Sequence, residues 1–150
     1  DGNNVCNSLM IAGAMMGTNV RIASPEGNEP TAAMLELAHK GATGGAEILV
    51  TNDATEAVAG ADAVYTDVWA SMGQEDEAAE RLRRFQPYQV NTDLFEQAAD
   101  DAIFMHCLPV RRNVVVTDDV IDSNQSVIFR EAENRLHAQK AVLERLLGVS

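Results

Sequence analysis

The sequence predicts an α/β fold, built on a doubly wound parallel sheet with helices on both faces. Short apolar runs alternate along the chain with longer amphipathic segments. Strands separated by helical stretches of about 10 to 15 residues are typical of βαβ units around a parallel sheet. The chain has 150 residues, of which 46% are hydrophobic, so it is long enough to form one domain with a core of its own.

The first half of the chain predicts helices and strands in alternation. Apolar residues recur at helical spacing over residues 4–16. Pro30 suits the first turn of a helix over residues 31–39, and Asp53 suits the cap of a third helix that runs to Ala57. The strands between these helices are predicted at residues 20–23, 47–51 and 63–66.

The second half continues the Rossmann-like order. Charged amphipathic helices are predicted at residues 76–85 and 93–100, strands at residues 103–105 and 126–129, a loop at residues 106–109, and a closing helix at residues 131–147. Leu136, Leu143 and Leu147 lie on one side of that closing helix.

The start of the sequence indicates a missing strand. Residues 1–4 read DGNN and form a turn directly before a helix. A doubly wound domain normally places a strand just ahead of such a turn. We therefore expect the fold to lack its first strand and the chain to be a piece of a longer polypeptide.

Charge, apolar runs and cysteine count exclude several classes of protein. The 23 acidic and 11 basic residues give a net charge of −12, which argues against a nucleic-acid partner. No apolar run approaches the roughly 18 residues of a membrane span, and no signal-peptide pattern is visible, so a cytoplasmic protein without a membrane partner is expected. Cys6 and Cys107 are too few for a disulfide framework and lack zinc-ligand spacing, which predicts free thiols and no metal site.

Two loops that follow predicted strands carry the candidate chemistry. Residues 67–73 read DVWASMG and residues 105–112 read MHCLPVRR. Ligands of open α/β sheets bind at the carboxyl ends of strands, and the acid, hydroxyl and glycine of the first loop suit a small zwitterion. Trp69 either covers such a ligand or anchors its loop. Cys107 beside His106 suggests a thiol nucleophile, but adjacent side chains point apart, which favours a buried thiol.

A third candidate element opens the closing helix. Residues 129–135 read FREAENR, and helix N-termini favour anions, to which Arg135 would add a forked donor. The alternative is that the arginines of this region pair with nearby carboxylates on the surface; they are Arg111, Arg112, Arg130 and Arg135. Capping of the first helix explains at least one of Asn3 and Asn4.

Together these segments resemble the ornithine carbamoyltransferase family. DVWASMGQE resembles the SMG loop of the family, HCLP its second signature, and EAENR with the long helix its C-terminal segment, while DGNN followed by NS fits the start of the same domain. The resemblance implies that residues 1–150 form the C-terminal, ornithine-binding domain. The implied reaction moves the carbamoyl group of carbamoyl phosphate onto the side-chain amine of ornithine, giving citrulline and phosphate.

The resemblance also implies the roles of individual residues. Ornithine would be held by Asn4, Asp67, Ser71 and Met72; carbamoyl phosphate would be contacted by Cys107, Leu108 and Arg135; Cys107 and Arg135 would be catalytic. Asp67 suits the α-ammonium, while the amide of Asn4 and the hydroxyl of Ser71 suit the carboxylate. His106 would add a hydrogen bond.

Partners follow from the same resemblance. No cofactor and no metal are implied. The carbamoyl-phosphate domain, with its Ser-Thr-Arg-Thr phosphate loop, is absent from the sequence, so we expect the isolated chain to be inactive and the full-length protein to be a homotrimer or a multiple of one.

Three other functions stay open at this stage. Residues 110–117 (VRRNVVVT) resemble relatives that use N-acetyl- or N-succinyl-ornithine, in which an arginine after HCLP meets the acyl substrate's carboxylate; those relatives generally lack an SMG loop, which favours plain ornithine. A dinucleotide-binding module would need a G-x-G-x-x-G after a strand, and the sequence has none there. The last alternative is a non-catalytic interaction domain.

Overall fold

The structure is a computed structural model that describes residues 1–69 and 78–148. The helices are α1 (Asn4–Met15), α2 (Ala32–Gly41), α3 (Ala54–Val58), α4 (Ala78–Phe85), α5 (Thr92–Phe95), α6 (Asp118–Ile121) and α7 (Ile128–Leu147). The strands are β1 (Val20–Ala23), β2 (Ile48–Thr51), β3 (Ala63–Thr66) and β4 (Ile103–His106), and one 3-10 turn covers Gln86–Tyr88. Helices alternate with parallel strands, so the predicted α/β class is confirmed.

The strands of the described residues form two parallel pairs instead of one continuous sheet. In the first pair β1 lies beside β2, with Val20 opposite Ile48. In the second pair β3 lies beside β4, with Thr66 opposite His106. The second pair ends with both strands at the same edge, so the residues that follow Thr66 and His106 emerge next to each other.

Each pair of strands has its own hydrophobic core. Met10 of α1, Ile22 of β1 and Ala38 of α2 form the smaller cluster. The larger cluster surrounds β3 and β4 and includes Phe85 and Phe104, both almost fully buried. The strands are thus covered by helices, as expected for parallel sheets whose strands are buried.

Helix starts follow the local sequence signals. The side chains of Asn3, Thr31, Asp53 and Asn91 each accept a backbone N–H of the first turn of their helix. For Asp53 the bonds come from Thr55 N at 2.8 Å and Glu56 N at 3.3 Å. These side chains satisfy donors that have no partner within the helix, which fixes where α1, α2, α3 and α5 begin.

Two predicted elements are wrong. The helix expected over residues 93–100 ends at Phe95, because the backbone N–H of Ala99 bonds to Ala61 O at 3.0 Å and thereby leaves the helical path. The strand expected over residues 126–129 is one isolated bridge between Ser126 and Phe104. The chain then turns at once into α7, which begins three residues earlier than expected, at Ile128.

The end of one strand also differs from the prediction. His106, expected in a loop, is the last residue of β4 and is paired with Thr66. No helix within the described ranges is both long enough and apolar enough to cross a membrane.

Candidate active site

The site lies where β3 and β4 end. Because Thr66 and His106 are paired in a parallel register, the next residues, Asp67 and Cys107, leave the sheet side by side. The thiol of Cys107 donates to Asp67 Oδ1, with 3.1 Å between sulfur and oxygen. Two loops that are 40 residues apart in sequence are joined at this point.

Asn3 holds the other side of the Asp67 carboxylate. Its Nδ2 donates to Asp67 Oδ2 at 2.9 Å, while its Oδ1 accepts from Cys6 N at 2.9 Å and so caps α1. The backbone N–H of Val68 adds a bond of 2.7 Å to Asp67 Oδ1. Three donors therefore fix the orientation of this carboxylate, and one of them ties the start of α1 to the end of β3.

The thiol of Cys107 stays protonated at neutral pH. Burial, together with the hydrogen bond and the negative charge of Asp67, raises its pKa to about 11. Burial also raises the pKa of the neighbouring Tyr65 phenol, with further contributions from Cys107 and Glu131. Since the thiolate is the nucleophilic form, this environment disfavours a covalent cysteine mechanism and leaves Cys107 as a neutral donor.

His106 does not activate Cys107. Its Nδ1 accepts the backbone N–H of Leu108 at 2.8 Å, so a neutral ring carries its proton on Nε2. The side chain is 1% exposed, and burial lowers its pKa although the charge of Asp67 opposes this. The ring thus supports the loop that follows it. Leu108 has a φ of 57° and is joined to Pro109 by a cis peptide bond.

Glu131 anchors the start of α7 to the end of β4. Its Oε2 accepts the backbone N–H of His106 at 3.0 Å. One turn further along the helix, Arg135 lies on an open groove of 790 Å³ that Cys107 and Leu108 also line. Cys107 and Arg135 therefore line the same groove.

Trp69 anchors its loop. It is 7% exposed and packs against Phe85, with 6.1 Å between the ring centroids. The Nε of Arg81 donates to Trp69 O at 2.6 Å, and its guanidinium lies 5.0 Å from the centre of the Phe85 ring and pairs with the Asp1 carboxylate. Of the two roles that the sequence left open for Trp69, these contacts fit the structural one.

The structure brings together some of the predicted site residues. Asp67 and Cys107 are in contact, Cys107, Leu108 and Arg135 line one groove, and Asn4 is exposed on the first turn of α1, next to Asn3. Ser71 and Met72 lie outside the described residues.

Sequence reasoning missed three residues of the site. Asn3 was assigned only as a candidate cap, whereas it also holds Asp67. Tyr65 lies two residues before Asp67, and the alternation of strand side chains places both on one face, so this signal was available. Glu131 gave no local signal, because its partner is a backbone N–H that is 25 residues away.

Arg112 forms ion pairs with two aspartates of its own chain. Its Nη1 donates to Asp118 at 2.8 Å and to Asp122 at 2.6 Å, and its Nη2 donates to Asp122 at 2.7 Å. These bonds raise the pKa of Arg112 and lower those of both aspartates. The surface-pairing alternative therefore holds for this arginine. Within residues 1–69 and 78–148, no cluster of three histidine, cysteine or acidic side chains is placed to hold a metal ion.

Comparison with known proteins gives one consistent result. Residues 1–146 match the family model described as aspartate/ornithine carbamoyltransferase, Asp/Orn binding domain. The chain is 57% identical to an ornithine carbamoyltransferase of Pyrococcus horikoshii over 149 residues, which are 99% of this chain and 47% of that protein. It therefore spans about half the length of the curated relatives it matches.

Solved structures agree with this match. The ornithine carbamoyltransferase of Pyrococcus furiosus superposes with a TM-score of 0.91 at 55% identity, over 96% of this chain and 46% of that one. An N-acetyl-L-ornithine transcarbamylase superposes less closely, with a TM-score of 0.82 at 32% identity, over 94% of this chain and 44% of that one. The chain therefore belongs to the aspartate/ornithine carbamoyltransferase family.

Proposed function

We propose that this chain is the ornithine-binding half of an ornithine carbamoyltransferase. The observation that carries the proposal is the contact between Asp67 and Cys107 at the ends of two parallel strands, with Arg135 on the groove beside it. An acid, a neutral thiol and a guanidinium converge on one edge of the sheet, where ligands of α/β folds bind. The similarity to proteins named ornithine carbamoyltransferase supports the same activity.

The amino-acid end of ornithine is gripped at the Asp67 side of the site. The carboxylate of Asp67 pairs with the α-ammonium, and its orientation is already fixed by Asn3 and Val68. Asn4, Ser71 and the backbone of Met72 satisfy the substrate's carboxylate. In this arrangement the side chain of ornithine extends toward Cys107.

Carbamoyl transfer takes place on the Cys107 side. The amine of ornithine has an ordinary pKa of about 10.4 and must lose a proton before it attacks the carbamoyl carbon. As the new C–N bond forms, the C–O bond to phosphate breaks and phosphate leaves with its electrons. Arg135 stabilises the charge that grows on the carbamoyl oxygen, the Leu108 carbonyl accepts from the carbamoyl NH2, and Cys107 acts as a neutral group.

Plain ornithine is favoured over an acylated substrate. The acyl alternative needs an arginine after HCLP that is available for a second carboxylate. Of the two arginines that follow HCLP, Arg112 is not available, because it already binds Asp118 and Asp122 of its own chain. Residues 71–73 read SMG, a loop that relatives with acylated substrates generally lack, and this favours plain ornithine.

The partners are proposals of the same kind. The other half of the polypeptide binds carbamoyl phosphate, and the full-length protein is a cytoplasmic homotrimer or a multiple of one, assembled chiefly through that other half. No cofactor, nucleic acid or membrane takes part. The chain by itself turns over no substrate.

The test is a transferase assay on the full-length polypeptide. With carbamoyl phosphate, ornithine should give citrulline, and N-acetyl- or N-succinyl-ornithine should react far more slowly. Asp67→Asn should lower kcat/KM for ornithine by about 100-fold or more, since a half-buried charged partner of the substrate is lost. Asp101→Asn is the matched control, because Asp101 is exposed and lies in the turn before β4. A preference for an acylated substrate would reject plain ornithine, and no turnover of any of the three amines would reject the transferase.

A further inference from the structure

The loop that follows β4 has a backbone shape that needs support. Leu108 has a φ of 57°, in the left-handed region that non-glycine residues seldom occupy. A residue in such a region keeps its conformation only where its surroundings hold it, and such positions cluster at functional sites. Leu108 also lines the groove that Cys107 and Arg135 share, so a contact that holds its backbone acts on the groove as well.

The contact that holds Leu108 comes from the ring of His106. The backbone N–H of Leu108 donates to His106 Nδ1 at 2.8 Å. Asparagine and aspartate side chains make the same kind of bond to the backbone two residues further on, where they stabilise turns. The bond fixes the peptide plane between Cys107 and Leu108, and with it the point from which the Leu108 backbone continues along the groove.

The ring of His106 is itself held in place. His106 is the last residue of β4, is paired in register with Thr66 and is 1% exposed. Its backbone N–H donates to Glu131 Oε2 at 3.0 Å, which ties it to the first turn of α7. Because a side chain in a close-packed interior has little freedom to move, the position of Nδ1 sets the position of Leu108 N.

The other atoms of the ring take no part in the groove. His106 is not one of the residues that line it. Its Nε2 is buried and meets no acceptor within residues 1–69 and 78–148, and its Nδ1 is already engaged by Leu108. Neither nitrogen is therefore available to a substrate in the groove, and any effect of His106 on the reaction acts through Leu108.

We propose that His106 is a positioning residue, whose Nδ1 holds the backbone of Leu108 in the shape that contacts the carbamoyl group. This role rests on the proposed function, in which the Leu108 carbonyl accepts from the carbamoyl NH2. Loss of the bond frees the peptide plane before Leu108, so the carbonyl is no longer oriented in advance for that contact. The loss falls on carbamoyl phosphate more than on ornithine, which is gripped at the Asp67 side of the site.

Asparagine and leucine in place of His106 give a matched pair of variants. The two side chains have the same branched shape, but only asparagine carries an acceptor, Oδ1, at the place of Nδ1. Each variant leaves one buried donor without an acceptor, which is the new side-chain amide in His106→Asn and the N–H of Leu108 in His106→Leu. Both should therefore lose comparable stability in urea unfolding of the chain, while only His106→Leu loses the bond to Leu108.

Amide exchange and kinetics then separate the two variants. In the chain, the amide of Leu108 should exchange about tenfold or more faster in His106→Leu and close to the parental rate in His106→Asn. In the full-length polypeptide at saturating ornithine, His106→Leu should lower kcat/KM for carbamoyl phosphate by about tenfold or more, whereas His106→Asn should stay within about threefold of the parent. The KM for ornithine should change less than the KM for carbamoyl phosphate.

The outcomes distinguish this role from the activity on which it rests. Equal loss of activity in both variants, or unchanged activity in His106→Leu, would overturn the positioning role. Equal exchange of the Leu108 amide in both variants would show that His106 does not hold Leu108, and would overturn it too. A parent polypeptide that turns over no substrate would instead reject the proposed function, and with it any role of His106 in carbamoyl transfer.

Discussion

Replacing Asp67 with asparagine should make the thiol of Cys107 more acidic and more reactive. The carboxylate lies 3.1 Å from the sulfur, and its charge and hydrogen bond add to burial in raising the pKa of Cys107 to about 11. At that pKa about one thiol in a thousand is ionised at pH 8. In Asp67→Asn the burial remains but the charge is gone, so a fall of about one pKa unit would increase the thiolate about tenfold.

The assay is the rate of alkylation by iodoacetamide as a function of pH, since only the thiolate reacts. A Cys6→Ala background removes the second thiol, whose pKa is also raised by burial. Asp101→Asn serves as the control for loss of one surface charge. A rate in Asp67→Asn that equals or falls below that of the parent would show that Asp67 does not suppress ionisation of Cys107.

The same raised pKa links stability to alkaline pH. The unfolded chain releases the proton of Cys107 near its ordinary pKa of about 8.5, whereas the folded chain holds it until about pH 11. The unfolded state therefore binds fewer protons between these values, and the free energy of unfolding falls as the pH rises through them. Denaturant unfolding of a Cys107→Ala variant should show a shallower fall over this window than the parent does.

Three further predictions concern the supports of the site. Glu131→Ala should destabilise the chain by about 1 to 2 kcal/mol in urea unfolding, because the backbone N–H of His106 loses its acceptor. The control Glu133→Ala lies on the exposed face of α7 and should change stability little, so equal effects would contradict the role of Glu131. Asn3→Ala should lower the free energy of unfolding by about 1 to 2 kcal/mol, because the cap of α1 is lost. Asn4→Ala should leave stability unchanged and weaken ornithine binding in the full-length protein. If instead Asn4→Ala destabilised the chain and Asn3→Ala did not, the roles assigned to the two residues would be wrong. Burial lowers the pKa of His106, so the unfolded chain takes up a proton at higher pH than the folded chain does. The free energy of unfolding should therefore fall as the pH drops below about 6.5. A His106→Gln variant whose free energy of unfolding falls equally steeply with pH would refute this.

Local signals were sufficient for most of the fold. Strands β1 and β3 have the predicted bounds, because each is a short apolar run between a turn and a helix. Residues 126–129 misled the prediction, since their apolar run also suits a strand. Phe104 uses its remaining backbone groups on Gln125 and Val127, after which Glu131 N bonds to Val127 O and α7 begins. A propensity for strand thus lost to a tertiary contact that the local sequence does not contain.

The candidate site likewise contains contacts that the sequence predicts and contacts that it does not. That Asp67 and Cys107 lie together follows from two strand ends at one edge, so the sequence was sufficient to expect it. The contact of Asn3 with Asp67 joins residues 64 apart, and the capping pattern accounts for Asn3 without any second partner. The local sequence shows the capping role of Asn3 but contains no sign of its long-range bond to Asp67. Residues that orient a functional group from a distance are therefore harder to predict than the group itself.

The bonding of Asp67 limits where a substrate ammonium can approach. An ionised carboxylate offers about four lone-pair positions. Oδ1 already accepts from Val68 N and from the thiol of Cys107, whereas Oδ2 accepts only from Asn3 among the described residues. Among the described residues the open acceptor position is therefore on Oδ2, on the side of the start of α1. A zwitterion bound there places its ammonium beside Asn3, and its carboxylate then lies near the N-terminus of α1, whose dipole favours an anion. In the function proposed above, the reacting amine at the other end of ornithine would then extend toward Cys107, and the three bonds that fix Asp67 would set the direction of the substrate.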